Sequence, residues 1–257
     1  MILRLPVALA ISGLALTAPS RGGLPSGNHS AGMPLPPMQA DRPDTTESPF
    51  TVPAGHWQFE LETVSVSLDG GQRGCDWGSV NIKYGLNHRT DLQLVTPAWH
   101  DGEGLEGWTD AELRLKWSLT GNDAPVAAAL MPYLKLPVAS RSVGNGHIEG
   151  GLILPFNLPG LSATAMVEAA VMRNQTDDGY TGSVTVSASR GFDLTDRLSP
   201  FVELVAVLPF EESAEAYFNA GLIYEIHPEW TLDAGINAGL NDDATDLRLF
   251  TGMTRRF

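Results

Sequence analysis

From residue 55 to the end of the chain, apolar and polar residues alternate in short stretches, each closed by a turn. Residues 230–240 are representative. One face carries Trp230, Leu232, Ala234, Ile236, Ala238 and Leu240, and the other carries Thr231, Asp233, Gly235, Asn237 and Gly239. A repeat of two means strands, because successive side chains point to opposite faces of a sheet. The pattern predicts strands over 55–67, 77–86, 90–99, 108–119, 126–137, 147–156, 161–172, 179–190, 197–208, 214–226, 229–240 and 246–257. Twelve is an even number, as a barrel with both termini on one side requires. Most of the stretches have the length of a tilted transmembrane strand plus a rim. A soluble β-sandwich shares the alternation, so connections and aromatic positions have to separate the two.

One set of connections is tight and similarly worded: Gly85-Leu86-Asn87-His88-Arg89-Thr90-Asp91, Gly191-Phe192-Asp193-Leu194-Thr195-Asp196-Arg197, Asn157-Leu158-Pro159-Gly160 and His227-Pro228-Glu229. The alternate set, at 68–76, 100–107, 138–146, 173–178, 209–213 and 241–245, is looser and more acidic. Short turns at one end and longer loops at the other match the periplasmic and extracellular ends of an outer-membrane barrel. Trp57, Trp77, Trp99, Trp108, Trp117 and Trp230 fall at or near predicted strand ends, where amphipathic rings prefer the headgroup level. The expected fold is therefore an all-β, transmembrane, antiparallel up-and-down barrel of about twelve strands over 55–257.

Composition sharpens this picture. Charged residues are 18% of the 257, below the usual quarter, and the net charge is −14. No cluster of Lys and Arg favours nucleic acid. A single cysteine, Cys75, rules out an intrachain disulfide, and a closed barrel needs none. Arg4 followed by the apolar run Leu5–Leu16 reads as a signal peptide over 1–18, too short to span a bilayer. Residues 19–40, rich in Gly, Pro and Ser, read as a flexible linker, and 41–54 as a periplasmic segment. These features place the chain in the outer membrane of a Gram-negative bacterium.

Residues 41–62 read Asp41-Arg42-Pro43-Asp44-Thr45-Thr46-Glu47-Ser48-Pro49, then Val52-Pro53-Ala54-Gly55-His56-Trp57-Gln58-Phe59-Glu60 after a short step. This resembles the opening of an outer-membrane family labelled "transporter" or phenol-degradation meta-pathway protein, whose members begin with a D-R-P-D-x-T-E-S-P box and a V-P-x-G-x-x-Q-x-E first strand. Tyr84-Gly85-Leu86, Leu194-Thr195-Asp196-Arg197-Leu198 and the closing Arg256-Phe257 are similar too. The resemblance covers 41–257 and implies an outer-membrane barrel. Phe257 is the expected insertion signal for the barrel-assembly machinery, although Arg255 stands where an aromatic or apolar residue is common.

The polar face of each strand gives the expected lumen lining: Glu60, Glu62, Lys83, Asp110, Glu112, Arg114, Lys116, Lys135, Glu149, Glu168, Glu203 and Arg248. Two roles fit, a structural ion network or a selectivity lining for a cation or polar solute. A twelve-stranded interior lies between filled and open. The segment 41–54 would enter it as a plug, or pack across its periplasmic mouth, with Asp41, Arg42, Asp44 and Glu47 pairing with lumen charges.

Catalytic and metal chemistry find little support. Cys75 sits in a Gly-rich turn, Gly70–Asp76, with no histidine near in sequence. His100-Asp101 has no serine close by, no G-x-S-x-G occurs, and His147-x-Glu149 lacks a second metal-binding pair. Asn241–Asp246 reads as a solvated turn. The expectation is a non-enzymatic channel without cofactor or metal, whose partners are outer-membrane lipid and a small-molecule solute, with aromatic or apolar compounds suggested by the family label. A non-conducting structural or binding barrel is the runner-up, and an outer-membrane enzyme comes third.

Overall fold

The computed structural model describes residues 35–173 and 179–257. The signal peptide expected at 1–18, most of the linker expected at 19–40 and most of the 173–178 loop lie outside the described residues. Twelve antiparallel strands form one closed barrel. They are β1 (Trp57–Asp69), β2 (Gln72–Trp77, then Val80–Asn87), β3 (Thr90–Val95, then Trp99–Gly102), β4 (Leu105–Trp108, then Ala111–Ser118), β5 (Ala129–Leu136), β6 (Glu149–Leu158), β7 (Ala163–Arg173), β8 (Tyr180–Gly191), β9 (Leu198–Pro209), β10 (Glu215–His227), β11 (Trp230–Gly239) and β12 (Leu247–Arg256). Each strand pairs with the next. β12 returns to β1, with Gln58 opposite Arg256 and Leu68 opposite Leu247. Closure leaves no unpaired edge, which lipid would not tolerate.

The barrel is apolar outside and polar inside. On β3, Leu92 and Leu94 are exposed while Asp91 and Gln93 are fully covered. On β4, Leu115 and Trp117 face out while Lys116 is 1% exposed. The largest fully buried side chains include Lys83, Lys116, Gln58, Gln93, Glu60 and Glu203. A sandwich in water would show the opposite order, so burial decides what alternation alone left open.

Aromatic rings mark both ends of the apolar band. Near Phe257, Trp57 packs at a tilt against Tyr84 with centroids 4.6 Å apart, and Phe59 meets Phe257 edge-on at 5.6 Å. At the other end, Trp99 and Trp108 meet edge-on at 5.3 Å. Trp77, Trp99 and Trp108 each sit where β2, β3 or β4 is interrupted, not where it ends. Beyond them the strands continue as a ribbon. The stretches 68–76 and 100–107, read from sequence as long loops, are therefore mostly strand, and their turns shrink to Gly70-Gly71 and Glu103-Gly104. All four of those turn residues have positive φ, as tight hairpins demand. The alternation fades there because both faces of the ribbon meet polar surroundings, and backbone pairing such as Ser67 opposite Gly74 needs no side-chain pattern.

At the opposite end the sequence reading also errs. β5 begins at Ala129, not 126, and 119–128 is a longer connection whose Ala127 amide donates to Asn157 Oδ1 at 2.6 Å. The outer wall yields a direct test. Leu94→Arg on the lipid face should lower stability by about 2–4 kcal/mol if the site lies near the bilayer midplane. Denaturant titration of the barrel in lipid vesicles reads the change.

Candidate functional site

The residues that precede β1 do not leave the barrel. They enter it, cross to the far wall and return. Pro36 accepts from Arg256 at 2.7 Å, and Gln39 from Gln58 at 2.7 Å. Asp41 and Arg42 lie over β1, where their amides donate to Glu60 at 3.1 and 3.2 Å. Thr45 and Thr46 reach β9, donating to Glu203 at 3.0 and 2.6 Å, and the Thr46 hydroxyl meets Ser187 of β8 at 2.7 Å. Glu47 then turns to β4. Val52 donates to Asp91 of β3 at 2.9 Å, and Gly55 donates to the Gly85 carbonyl at 2.8 Å before β1 starts. Gly85 is required at this crossing, because a Cβ there would lie 2.2 Å from the Pro53 carbonyl oxygen.

The charged side chains sort into four groups. Asp41 is shared by two lysines, with Lys116 Nζ 2.6 Å away and Lys83 bonded both to Asp41 and to Glu60. Arg42 bridges the first strand and β11, 3.2 Å from Glu62 and 2.7 Å from Asp233, and Arg248 donates to Glu62 as well. Arg114 lies between Glu47 and Glu112, 2.7 Å from each. Lys135 joins Asp110 at 2.9 Å and Glu149 at 2.6 Å, away from the inward segment. Glu168 accepts from the Tyr133 hydroxyl, and Glu203 accepts amides of the inward segment and of Asn219. Each of the twelve candidate lining residues thus has a polar partner, and nearly all of the first three groups converge on residues 41–47.

One group and one pairing escaped the sequence reading. Asn122, in the long 119–128 connection, clasps Thr51 through its amide on both backbone and hydroxyl, at 3.1 to 3.3 Å. An Asn in a loop is an ordinary turn former, so nothing in the sequence marks it. Asp233 was visible as an inward residue, but its partner Arg42 is 191 positions away.

Titration of the segment follows from this geometry. Burial raises Asp41, yet Lys116 and Lys83 outweigh it and hold its carboxyl well below the usual range. Asp44 is pushed up to about 8 by burial and by Glu203, and Glu47 to about 8 by burial and by Asp41. Removal of the segment to water would return all three to ordinary values near 4.

A cavity of about 260 Å³ remains beside the segment on the β7–β11 side, lined by Arg42, Asp44, Ser189, Phe201, Ile223 and Asp233 among others. The remaining sequence candidates lie elsewhere. Cys75 is on β2, not in a turn, opposite Val66. His100 Nδ1 lies 2.6 Å from Asp76 Oδ1 and donates to it, and Ser67 lies close to neighbouring Gly74, nearer to His100 than the sequence suggested. No hydrogen bond joins that serine to the imidazole among the described residues. His147 packs edge-on against Tyr180, while Glu149 is engaged by Lys135. Among the described residues no three His, Cys, Asp or Glu side chains gather as metal ligands.

Comparison with known proteins adds a family and a fold. The model of the family described as "Putative MetA-pathway of phenol degradation" matches residues 40–257, so the match takes in the inward segment as well as the strands. The solved outer membrane channel from Pseudomonas putida F1 is similar at 12% identity and a TM-score of 0.57, over 81% of this chain and 97% of that one. KdgM porin is similar at 12% identity over 79% and 99%, with a TM-score of 0.49. The translocator domain of the autotransporter NalP from Neisseria meningitidis follows at 12%, over 79% and 89%, with 0.47. At such identities the likeness concerns the fold. No curated protein matches.

The site generates two predictions. Lys116→Ala leaves Asp41 short of a counter-ion in a buried setting and should cost about 3–5 kcal/mol, read by denaturant titration. The pH dependence has a definite sign. Carboxyls whose docked pKa is raised bind more protons docked than free, so docking weakens as pH climbs from about 4 to about 8. Asp41 contributes oppositely, and its stabilisation is lost only as pH falls below its free value. The melting temperature should therefore decline between about pH 4 and pH 8. An Asp44→Asn, Glu47→Gln double variant should show a flatter profile.

Proposed function

The chain belongs to the family of the MetA pathway of phenol degradation, and from that premise we propose that it is a narrow passive channel for small molecules in the outer membrane of a Gram-negative bacterium. One observation carries the reading. The inward segment crosses the lumen from β1 to β8 and β9, and a cavity of about 260 Å³ remains beside it, against one end of β7–β11, opposite β1–β4. Residues 41–54 act as a plug that narrows the barrel without being part of its wall. A solute would pass along the opposite wall, or through the space that the plug vacates.

Twelve strands enclose an interior between the filled eight-stranded and the open sixteen-stranded cases, so a plug of this length suffices to restrict it. The family name favours small aromatic or apolar compounds as cargo. Passage down a gradient makes and breaks no bonds, and the reading is non-enzymatic. Export by the signal peptide and recognition of the strand ending at Phe257 by the barrel-assembly machinery complete the route to the membrane.

A sealed barrel is the second reading, favoured by the pairing of Asp41, Arg42 and Glu47 with charges of the wall. Single-channel recording in a planar bilayer separates the two. Small steps are expected from the full-length barrel, and larger or more frequent ones after deletion of 41–49. Silence from both, with folding verified, would establish the sealed barrel. In a conducting lumen Glu112→Ala should also change ion selectivity, whereas in a sealed one it only lowers stability.

A further inference from the structure

The inward-facing arginines all have carboxylates. Arg42, Arg114, Arg248 and Arg256 sit against Asp233, Glu112, Glu62 and Glu229. Two arginines at the end of the barrel that holds Phe257 differ. Arg190 and Arg255 are exposed on the outer wall, since their strand neighbours Ser189, Thr254 and Arg256 are buried inside. Neither has a carboxylate within ion-pair distance among the described residues. Glu229, in the hairpin between β10 and β11, is held by Arg256 at 2.8 Å.

What these guanidinium groups do touch is aromatic. Arg255 lies 5.5 Å from the Trp230 ring centroid and 4.5 Å from that of Phe257, and Arg190 lies 5.1 Å from Phe192. Arg255 is flanked across the strands by Trp230 on β11 and Phe59 on β1, so it stands at the seam where the barrel closes. The Trp230 indole N–H is buried and has no acceptor among the described residues, so the ring meets Arg255 through its π face and not through this donor. The Arg255 guanidinium is thus the group on this lipid-facing wall that has aromatic neighbours and no carboxylate from the protein.

An arginine there lays its stem along apolar surface and keeps its planar fork at headgroup level. A phosphate offers that fork two oxygens at once, and the rings of Phe59, Trp230 and Phe257 offer apolar surface to the chains attached to it. We propose that Arg255, seated between Trp230 and Phe257, binds the phosphate of an anionic phospholipid, with Arg190 beside Phe192 as a second such site. The inference rests on the reading that the barrel lies in a membrane. Free phosphate is the poorer occupant, because it gains one screened cation and nothing from the rings.

The test uses the full chain released from mixed micelles of phosphatidylglycerol and phosphatidylcholine, with retained lipid counted by native mass spectrometry. Wild type should retain phosphatidylglycerol preferentially. Arg255→Gln should cut that preference about fivefold, and Arg190→Gln by a smaller factor, in line with about 1 kcal/mol per basic residue at a charged surface. Arg255→Lys, which keeps charge but not the fork, should recover part of it. Unchanged preference in both glutamine variants would overturn the proposal, as would loss of the retained lipid on adding inorganic phosphate at equal concentration. If Arg255→Gln does not fold, Arg190→Gln and the wild-type preference still decide. A barrel that inserts into vesicles of no composition would overturn the membrane reading itself, and the site with it.

Discussion

Lys83 and Lys116 point from β2 and β4 into one small volume, and Asp41 is the group that lets both stay charged there. Their side chains are almost wholly covered, at 2% and 1% exposed. Two bare ammonium groups at that depth would repel each other and forfeit hydration worth several kcal/mol apiece. A closed barrel that faces lipid has no choice about where its polar residues go, so the inside must balance its own charge. The first box of the chain supplies that balance. Everything else about the segment, from its entry beside Arg256 to its exit at Gly85, serves to bring Asp41 to this point.

The same segment ties the two ends of the barrel together. Arg42 spans from Glu62 on the first strand to Asp233 on the penultimate one, and Arg256 of the last strand holds the Pro36 carbonyl. The seam between β12 and β1 is the one pairing that must form between strands about 190 residues apart, and it carries the greatest loop-closure cost. An ion bridge lying across it from the inside offsets part of that cost. Closure of the wall and docking of the plug are thus coupled, and loss of either weakens the other.

Much of this was legible beforehand, for identifiable reasons. Alternation found the twelve strands because lipid and lumen impose opposite demands on successive side chains. It failed at 68–76 and 100–107, where Gln72–Asp76 and His100–Gly102 pair outside the apolar band and both faces are polar. The inward carboxylates and bases were readable from the same alternation. Their partners were not, since Asp41 with Lys116, or Arg42 with Asp233, are joined by the path of a segment that has no periodicity at all. Asn122 carried no signal of any kind, because its role depends only on the place where Thr51 happens to pass.

The chemistry of the plug bears on whether it can move. An apolar plug would be driven into place by burial of its own surface and would leave only against that full cost. A plug held by ion pairs and amide–carboxylate bonds is different, because each contact broken can be replaced by water once the lumen is hydrated. The net worth of such exchanges is small even where the individual bonds are short. The two carboxyls pushed up to about 8 lower it further near neutral pH, since part of their docking free energy is spent holding protons that water would release. A segment so densely bonded is well placed without being firmly locked, which is the combination that a gate requires and a purely structural filler does not.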